Sequence, residues 1–139
     1  MDLAKKVVGK MISGDEFSKW LGIEVIEISK GFCKIQMKIR DEMTNGFKIA
    51  HGGISYSLAD SCLAFSANSD GIQSLSLETS ISYTKKVQSG DILTATSKEI
   101  NKSSKTALYY ITITNQEMEE IAHFKGTVYR TKKEWFPEN

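Results

Sequence analysis

Proline is almost missing from this chain. Of its 139 residues only Pro137 is a proline, where an average chain of this length carries about seven. Residues 1–136 must therefore take their turns from glycine, serine, asparagine and aspartate, which excludes polyproline linkers and argues against a string of small modules. Cysteine is nearly as scarce. Cys33 and Cys62 fit no ligand or redox spacing, so both read as reduced cytosolic thiols. An excess of either charge is lacking too: 18 basic residues against 17 acidic ones give +1. The pairs Lys5-Lys6, Lys85-Lys86 and Lys132-Lys133 are scattered, whereas a nucleic-acid binder shows a basic stripe. No apolar run approaches the ~18 residues of a membrane span, and residues 1–10 hold no apolar stretch of signal-peptide length. These absences leave a single soluble domain, expected in the cytoplasm, with neither nucleic acid nor membrane as partner.

What is present is enough for a core. A chain of this length buries roughly two-thirds of its unfolded surface. Leu3, Val7 and Met11, with Val8 and Ile12 beside them, predict a helix within an N-terminal helical segment over residues 1–20. Gly14 breaks it, and Asp15 caps a second short turn carrying Phe17, Trp20 and Leu21. A strand with Ile23, Val25 and Ile28 turns at Lys30-Gly31 into another with Cys33, Ile35, Met37 and Ile39. Ile54, Leu58, Cys62 and Phe65 then form one helical stripe, with Ala59, Ala64 and Ala67 keeping the other faces narrow. Four strands follow: Leu75 to Tyr83 in alternation with serines and Glu78, then residues 92–100, then 106–114, and a last one bearing Ala122, Phe124, Gly126 and Val128. The order is helix, two strands, long helix, four strands. An α+β fold, an antiparallel sheet with a helix laid across it, satisfies that order.

The long helix carries the unusual chemistry. It opens on His51-Gly52-Gly53, and glycine costs a helix interior about 1 kcal/mol relative to alanine. Two readings stand. The glycines permit a tight loop-to-helix junction, or their bare N–H groups admit a ligand oxygen at the positive end of the helix dipole. A carbonyl oxygen gaining charge in a transition state would be stabilised the same way. Asp60, flanked by Ala59 and Ser61, is a poor helix former in mid-helix. It lies nine residues after His51, about 13–14 Å along the axis. One small reacting centre cannot touch both on the same helix. Either Asp60 is structural, or the site is built between two chains, where two antiparallel helices about a two-fold axis bring Gly52 of one beside Asp60 of the other.

The run Phe17-x-x-Trp20-Leu21-Gly22-Ile23-Glu24-Val25, then Asn45-x5-His51-Gly52-Gly53-x6-Asp60, then Ser76-x4-Ile81-x-Tyr83 and Gly90-Asp91, resembles the PaaI-like acyl-CoA thioesterases of the hotdog-fold (4-hydroxybenzoyl-CoA thioesterase) superfamily. The resemblance spans roughly residues 15–131. It implies one hotdog domain over residues 1–139, a curved antiparallel sheet wrapped around the central helix, with residues 132–139 as a tail. It implies a homodimer with a continuous sheet, or two such dimers in a tetramer. The implied activity is hydrolysis of acyl-CoA or aryl-CoA thioesters without metal or cofactor, coenzyme A entering only as part of the substrate.

By position, the resemblance implies that the Gly52 N–H polarises the thioester carbonyl, with Asn45 as a second contact or a loop anchor. His51 orients that junction or hydrogen-bonds near the thioester sulfur. Asp60 of the partner chain acts as general base on water, or as a nucleophile forming a transient anhydride. Ser76 helps position the water or the carboxylate, with Glu78 an outside candidate there. Gly53, Ser57, Tyr83 and Lys85 are the expected substrate-binding residues, and Lys86, Arg130 or Lys132 could also meet the phosphates of coenzyme A. Phe47, Tyr56 and Phe65 could join Tyr83 in lining an acyl pocket.

Two departures involve proline. The family commonly reads Asn-Pro-x-Gly before His-Gly-Gly; here Gly46 replaces the proline and Lys48 the glycine. No proline follows Tyr83 either, so both loops are expected to be more mobile. A non-catalytic acyl-CoA-binding or sensing module on the same fold is the alternative function, and a mid-helix aspartate argues against it. Hotdog dehydratases use a different His/Asp or His/Glu pattern in a proline-rich context, which this sequence lacks.

Overall fold

The computed structural model describes residues 2–137. Helix α1 (Leu3–Ser13) is capped by Asp2, whose carboxylate accepts from the Lys5 N–H at 2.9 Å. Gly14 ends it. Asp15 caps α2 (Glu16–Leu21), accepting from the Ser18 N–H at 2.9 Å, and left-handed Gly22 stops that helix. Strands β1 (Glu24–Ser29) and β2 (Phe32–Lys38) turn at Gly31. Helix α3 spans Gly52–Asn68. Strands β3 (Ile72–Tyr83), β4 (Ile92–Lys102), β5 (Thr106–Thr114) and β6 (Glu120–Glu134) complete the chain. Their order is the expected one.

All six strands pair antiparallel in the order β1-β2-β4-β5-β6-β3. One face of this sheet wraps α3, which packs against β2 through β6. The expected hotdog architecture is therefore the observed one. Cys33, Ile35 and Met37 of β2, Leu93 and Ala95 of β4, Ile111 and Ile113 of β5, and Ala122 and Phe124 of β6 meet Leu58, Ala59, Cys62, Leu63 and Phe65 of α3 in one core. Each such large apolar side chain contributes roughly 1.5–3 kcal/mol by leaving water. Ile54, placed in the stripe, is only partly buried, because it sits in the first turn at the helix mouth. Gly126 is where α3 comes closest to the sheet. A Cβ there would stand 2.6 Å from Leu63 Cδ2 and 3.2 Å from Phe124 Cε1.

One expectation is corrected. Residues 132–134 are not a tail: β6 continues to Glu134, paired with Ile72 of β3. Beyond it the Trp135 N–H bonds the Gly71 carbonyl at 2.8 Å, its Nε1–H bonds Asn68 Oδ1 at 2.8 Å, and Lys6 Nζ lies 4.5 Å from the Phe136 ring centre. The last two residues of the expected tail lie outside the described residues. The alternation in β3 does not give a buried face throughout. Leu75 and Leu77 are 68% and 61% exposed, because β3 is an edge strand and a register shift between Ser76 and Glu78 interrupts its pleat. Among the described residues, no helix is long and apolar enough to cross a membrane.

Candidate active site

The segment before α3 is held without proline. Asn45 Oδ1 accepts from the N–H groups of Phe47 at 2.9 Å and Ile49 at 3.4 Å, which makes Asn45 the anchor of its own loop. The Ala50 N–H bonds the Val87 carbonyl at 2.7 Å, and the His51 N–H bonds the Met43 carbonyl at 2.8 Å. Lys48 has φ +63°, so it adopts the left-handed backbone that favours glycine, at about 1–2 kcal/mol for a side-chain-bearing residue. The segment after Tyr83 is tied in the same way. The Thr84 N–H and Oγ1–H bond the carbonyls of Ile121 and Glu120, both at 2.8 Å.

His51 is the N-cap of α3, and its Nδ1 accepts the Gly53 N–H at 2.9 Å. The neutral ring then carries its proton on Nε2, free to donate outward. The Gly53 N–H is spent on this bond, and the Ile54 N–H on the His51 carbonyl at 2.9 Å. The Gly52 N–H meets no acceptor among the described residues. Above it lies Tyr83, whose Oη donates to the Gly52 carbonyl at 2.7 Å. Burial, and then the neighbouring Tyr56, push the Tyr83 phenol up, so it remains a donor. A Cβ on residue 52 would stand 2.9 Å from Tyr83 Oη. Glycine admits this close approach of Tyr83, which a Cβ would push back.

These groups open on a cleft of about 430 Å³ lined by Asn45, Ala50, Gly52, Ser55, Tyr83 and Lys86, among others. A groove of similar volume between α1 and β1 is lined by apolar residues together with Lys5 and Glu27 and offers no such donor. Ser57 lies one turn along α3, its hydroxyl bonded to the Gly53 carbonyl at 2.7 Å. Lys85 borders the cleft but is paired with Glu119. Arg130 is also engaged, in a 2.6 Å bridge to Asp70. Of the aromatics expected around an acyl group, only Tyr83 lines the cleft. Phe65 is in the core, Tyr56 packs edge-on against Phe124, and Phe47 stands 86% exposed at the loop tip.

Asp60 forms a second, separate cluster. It is eight residues from Gly52 on one straight helix, about 12 Å along the axis. Helix α3 runs antiparallel to β3: Gly52 bonds Tyr83, Tyr56 contacts Thr79, and Asn68 bonds the backbone of Ser74. Between the last two contacts Asp60 falls level with Leu77 and Glu78, so Ser76, one residue further along, lies nearer the height of Asp60 than that of Gly52. Asp60 is half-buried and has no hydrogen-bond or ion-pair partner among the described residues. Burial, and then the charge of Asp15, push its carboxyl above the ordinary aspartate value. Asp15 carries a signal that sequence reading took only for a cap; its nearness to Asp60 depends on how α2 docks on α3.

The chain matches the model of the Thioesterase superfamily over residues 47–122, which covers the Asn45 loop from Phe47, all of α3 and β3 to β5. The chain belongs to this family. It is a PaaI-like thioesterase of the hotdog fold. Escherichia coli acyl-coenzyme A thioesterase PaaI is 34% identical over 86% of this thioesterase and 86% of its own length. The solved structure of the E. coli PaaI protein superposes with a TM-score of 0.92 at 32% identity, covering 94% of one chain and 95% of the other. A putative esterase of Archaeoglobus fulgidus is 36% identical over 97% of this chain and 88% of its own. A Streptococcus mutans protein solved bound to acetyl CoA superposes at a TM-score of 0.78 with 27% identity, covering 81% and 90%.

Proposed function

We propose that this thioesterase hydrolyses an acyl-CoA or aryl-CoA thioester to the free acid and coenzyme A, without a metal, at a site formed between two copies of the chain in the cytoplasm. One observation carries the reading. The free Gly52 N–H and the unpartnered Asp60 carboxylate sit on one helix, too far apart for one protomer to use both on a single carbonyl. A two-fold axis that sets two α3 helices antiparallel brings each Gly52 to the partner's Asp60. The open edge of β3, with Leu75 and Leu77 exposed beside it, suits the same arrangement, since two such edges can pair into one continuous sheet. Two such dimers could associate further into a tetramer.

The thioester carbonyl oxygen then points at the Gly52 N–H, where the helix dipole stabilises developing negative charge. Asn45 acts as loop anchor and His51 as the cap that orients the junction, its Nε2–H turned toward the leaving sulfur. The partner's Asp60 takes a proton from water as the water oxygen bonds the carbonyl carbon; collapse breaks the C–S bond, and the thiolate leaves as coenzyme A after taking up that proton. As a nucleophile, Asp60 would instead bond the carbonyl carbon itself, expel the thiolate and form an anhydride that water opens. Ser76 helps hold the water. Lys86 lines the cleft as a cation for the coenzyme A phosphates, whereas Lys85 is occupied by Glu119.

The test is a panel of acyl- and aryl-CoA thioesters with free-thiol detection on the wild type, Asp60→Asn and Asp60→Ala. Turnover by the wild type and its loss in both variants supports the reading. Wild-type turnover in either variant overturns the mechanism. Binding of CoA thioesters with no thiol release by the wild type establishes the binding-module alternative instead.

A further inference from the structure

Asp60 is the sole charged residue of α3, and nothing on its own helix explains how its protonation is controlled. A second carboxylate stands beside it. Asp15 caps α2, accepting the Ser18 N–H at 2.9 Å and the Ser18 hydroxyl proton at 2.6 Å. With its proton given to Asp15, the Ser18 hydroxyl can only accept from Ser61 Oγ, 2.8 Å away. Ser61 is the residue after Asp60, and Ser18 is buried, 2% exposed. The chain Ser61–Ser18–Asp15 is therefore a fixed strut between α3 and α2, not a surface contact. It holds the Asp15 carboxylate toward the part of α3 that carries Asp60.

We propose that Asp15 is a positioning residue for Asp60: through Ser18 and Ser61 it fixes a second negative charge beside the reacting carboxylate and sets the pH range over which hydrolysis proceeds. The inference rests on the reading of Asp60 as base or nucleophile given above. The other elements packed on α3 leave Asp15 as the charge that bears on Asp60. On α1, Lys6 and Lys10 lie over the Phe136 ring at 4.5 and 5.1 Å, and Lys5 lines the groove shared with β1. On α2, Glu16 and Lys19 pair with each other at 3.0 Å on the exposed side. Glu78 of β3 is exposed to solvent; on β6 Arg130 is bridged to Asp70 at 2.6 Å past the C-terminal end of α3, on β4 Glu99 accepts from the Tyr109 hydroxyl at 3.1 Å, and the side chains of β2, β4, β5 and β6 that meet α3, such as Ile35, Leu93, Ile113 and Phe124, are uncharged. A like charge nearby disfavours ionisation, which is the direction found for Asp60, with burial the larger cause. A carboxylate made harder to ionise is the stronger base once ionised.

The experiment is the pH profile of kcat/KM for thioester hydrolysis by wild type, Asp15→Asn and Asp15→Ser. Both replacements keep a competent N-cap, asparagine and serine being good caps, while removing the charge. Far-ultraviolet circular dichroism and thermal melting check that each variant folds. The expected result is an acid limb displaced to lower pH in both variants, so that the variant-to-wild-type ratio of kcat/KM is largest at the acid end and falls to a constant value above it. A structural role alone would scale the whole profile without moving its limb. Superimposable limbs, in an enzyme that Asp60→Asn inactivates, overturn the role of Asp15 and leave the reading of Asp60 intact. If Asp60→Asn remains active, the reading of Asp60 fails first.

Discussion

Gly52→Ala separates chemistry from stability. The added Cβ would lie 2.9 Å from Tyr83 Oη and 3.0 Å from its Cζ, inside ordinary van der Waals contact, so the ring must retreat and its 2.7 Å bond to the Gly52 carbonyl must stretch. Losing that bond costs about 1 kcal/mol. Alanine in place of glycine returns up to about 1 kcal/mol of helix propensity. The two offset, and the melting temperature should stay within roughly 5 °C of wild type. Activity has no such compensation. The methyl group crowds the one free N–H at the cleft, and loss of an oxyanion donor typically lowers kcat by on the order of a hundredfold. The assay is steady-state hydrolysis of a CoA thioester with thiol detection, beside differential scanning calorimetry. A Tyr83→Ala background should restore part of the loss by removing the collision. The two-chain geometry adds a sharper readout. Gly52→Ala and Asp60→Asn chains, unfolded and refolded together, should regain about a quarter of wild-type activity, because half the dimers are hybrids with one intact site of two. Full activity in Gly52→Ala would refute the role of its N–H. Two inactive variants that stay inactive when mixed would refute the shared site.

Two further outcomes follow from packing and charge. Folding penalises the ionised form of Asp60, so its contribution to stability is present below its unfolded value near about pH 4 and is lost as the pH rises through its raised folded value; Asp60→Asn should therefore melt above wild type at pH 7, with the two curves converging at low pH, and a less stable variant at pH 7 would contradict this. Gly126→Ala forces a methyl group against Leu63 and should destabilise by about 1–3 kcal/mol in urea titrations, with a smaller cost in a Leu63→Ala background, whereas an unchanged midpoint would show that α3 can lift from the sheet at no cost.

What the sequence made legible was whatever a local period or a cap records. The bounds of β5 and the break at Gly14 capped by Asp15 came through because alternation and capping are properties of neighbouring residues. The His-Gly-Gly junction and the separation of Gly52 from Asp60 did too, since helical rise converts a count of residues into a distance. What was hidden depended on partners distant in the chain. Lys132 and Lys133 look like a solvated tail until Trp135 is seen bonded to Asn68. Lys85 looks available until Glu119 is seen beside it. Leu75 and Leu77 alternate as a buried face would, yet lie on the sheet's open margin. The backbone bonds that hold Ala50 to Val87 and Thr84 to Ile121 are likewise made to partners no local reading supplies.

The clasp of Trp135 and Phe136 also makes the chain nearly a ring. Phe136 lies against Lys6 and Lys10 on the first helix, so the two extremities of the described fold are neighbours in space although nearly the whole chain separates them. A short linker could splice one to the other, and new ends could be cut at the exposed turn between β4 and β5, where Ser103 and Thr106 close a tight bend. Such a permuted chain would keep α3, the Asn45 loop and the β3 edge on continuous backbone. The order in which the polypeptide visits its elements is thus separable from the geometry that sets Gly52 and Asp60 along one axis.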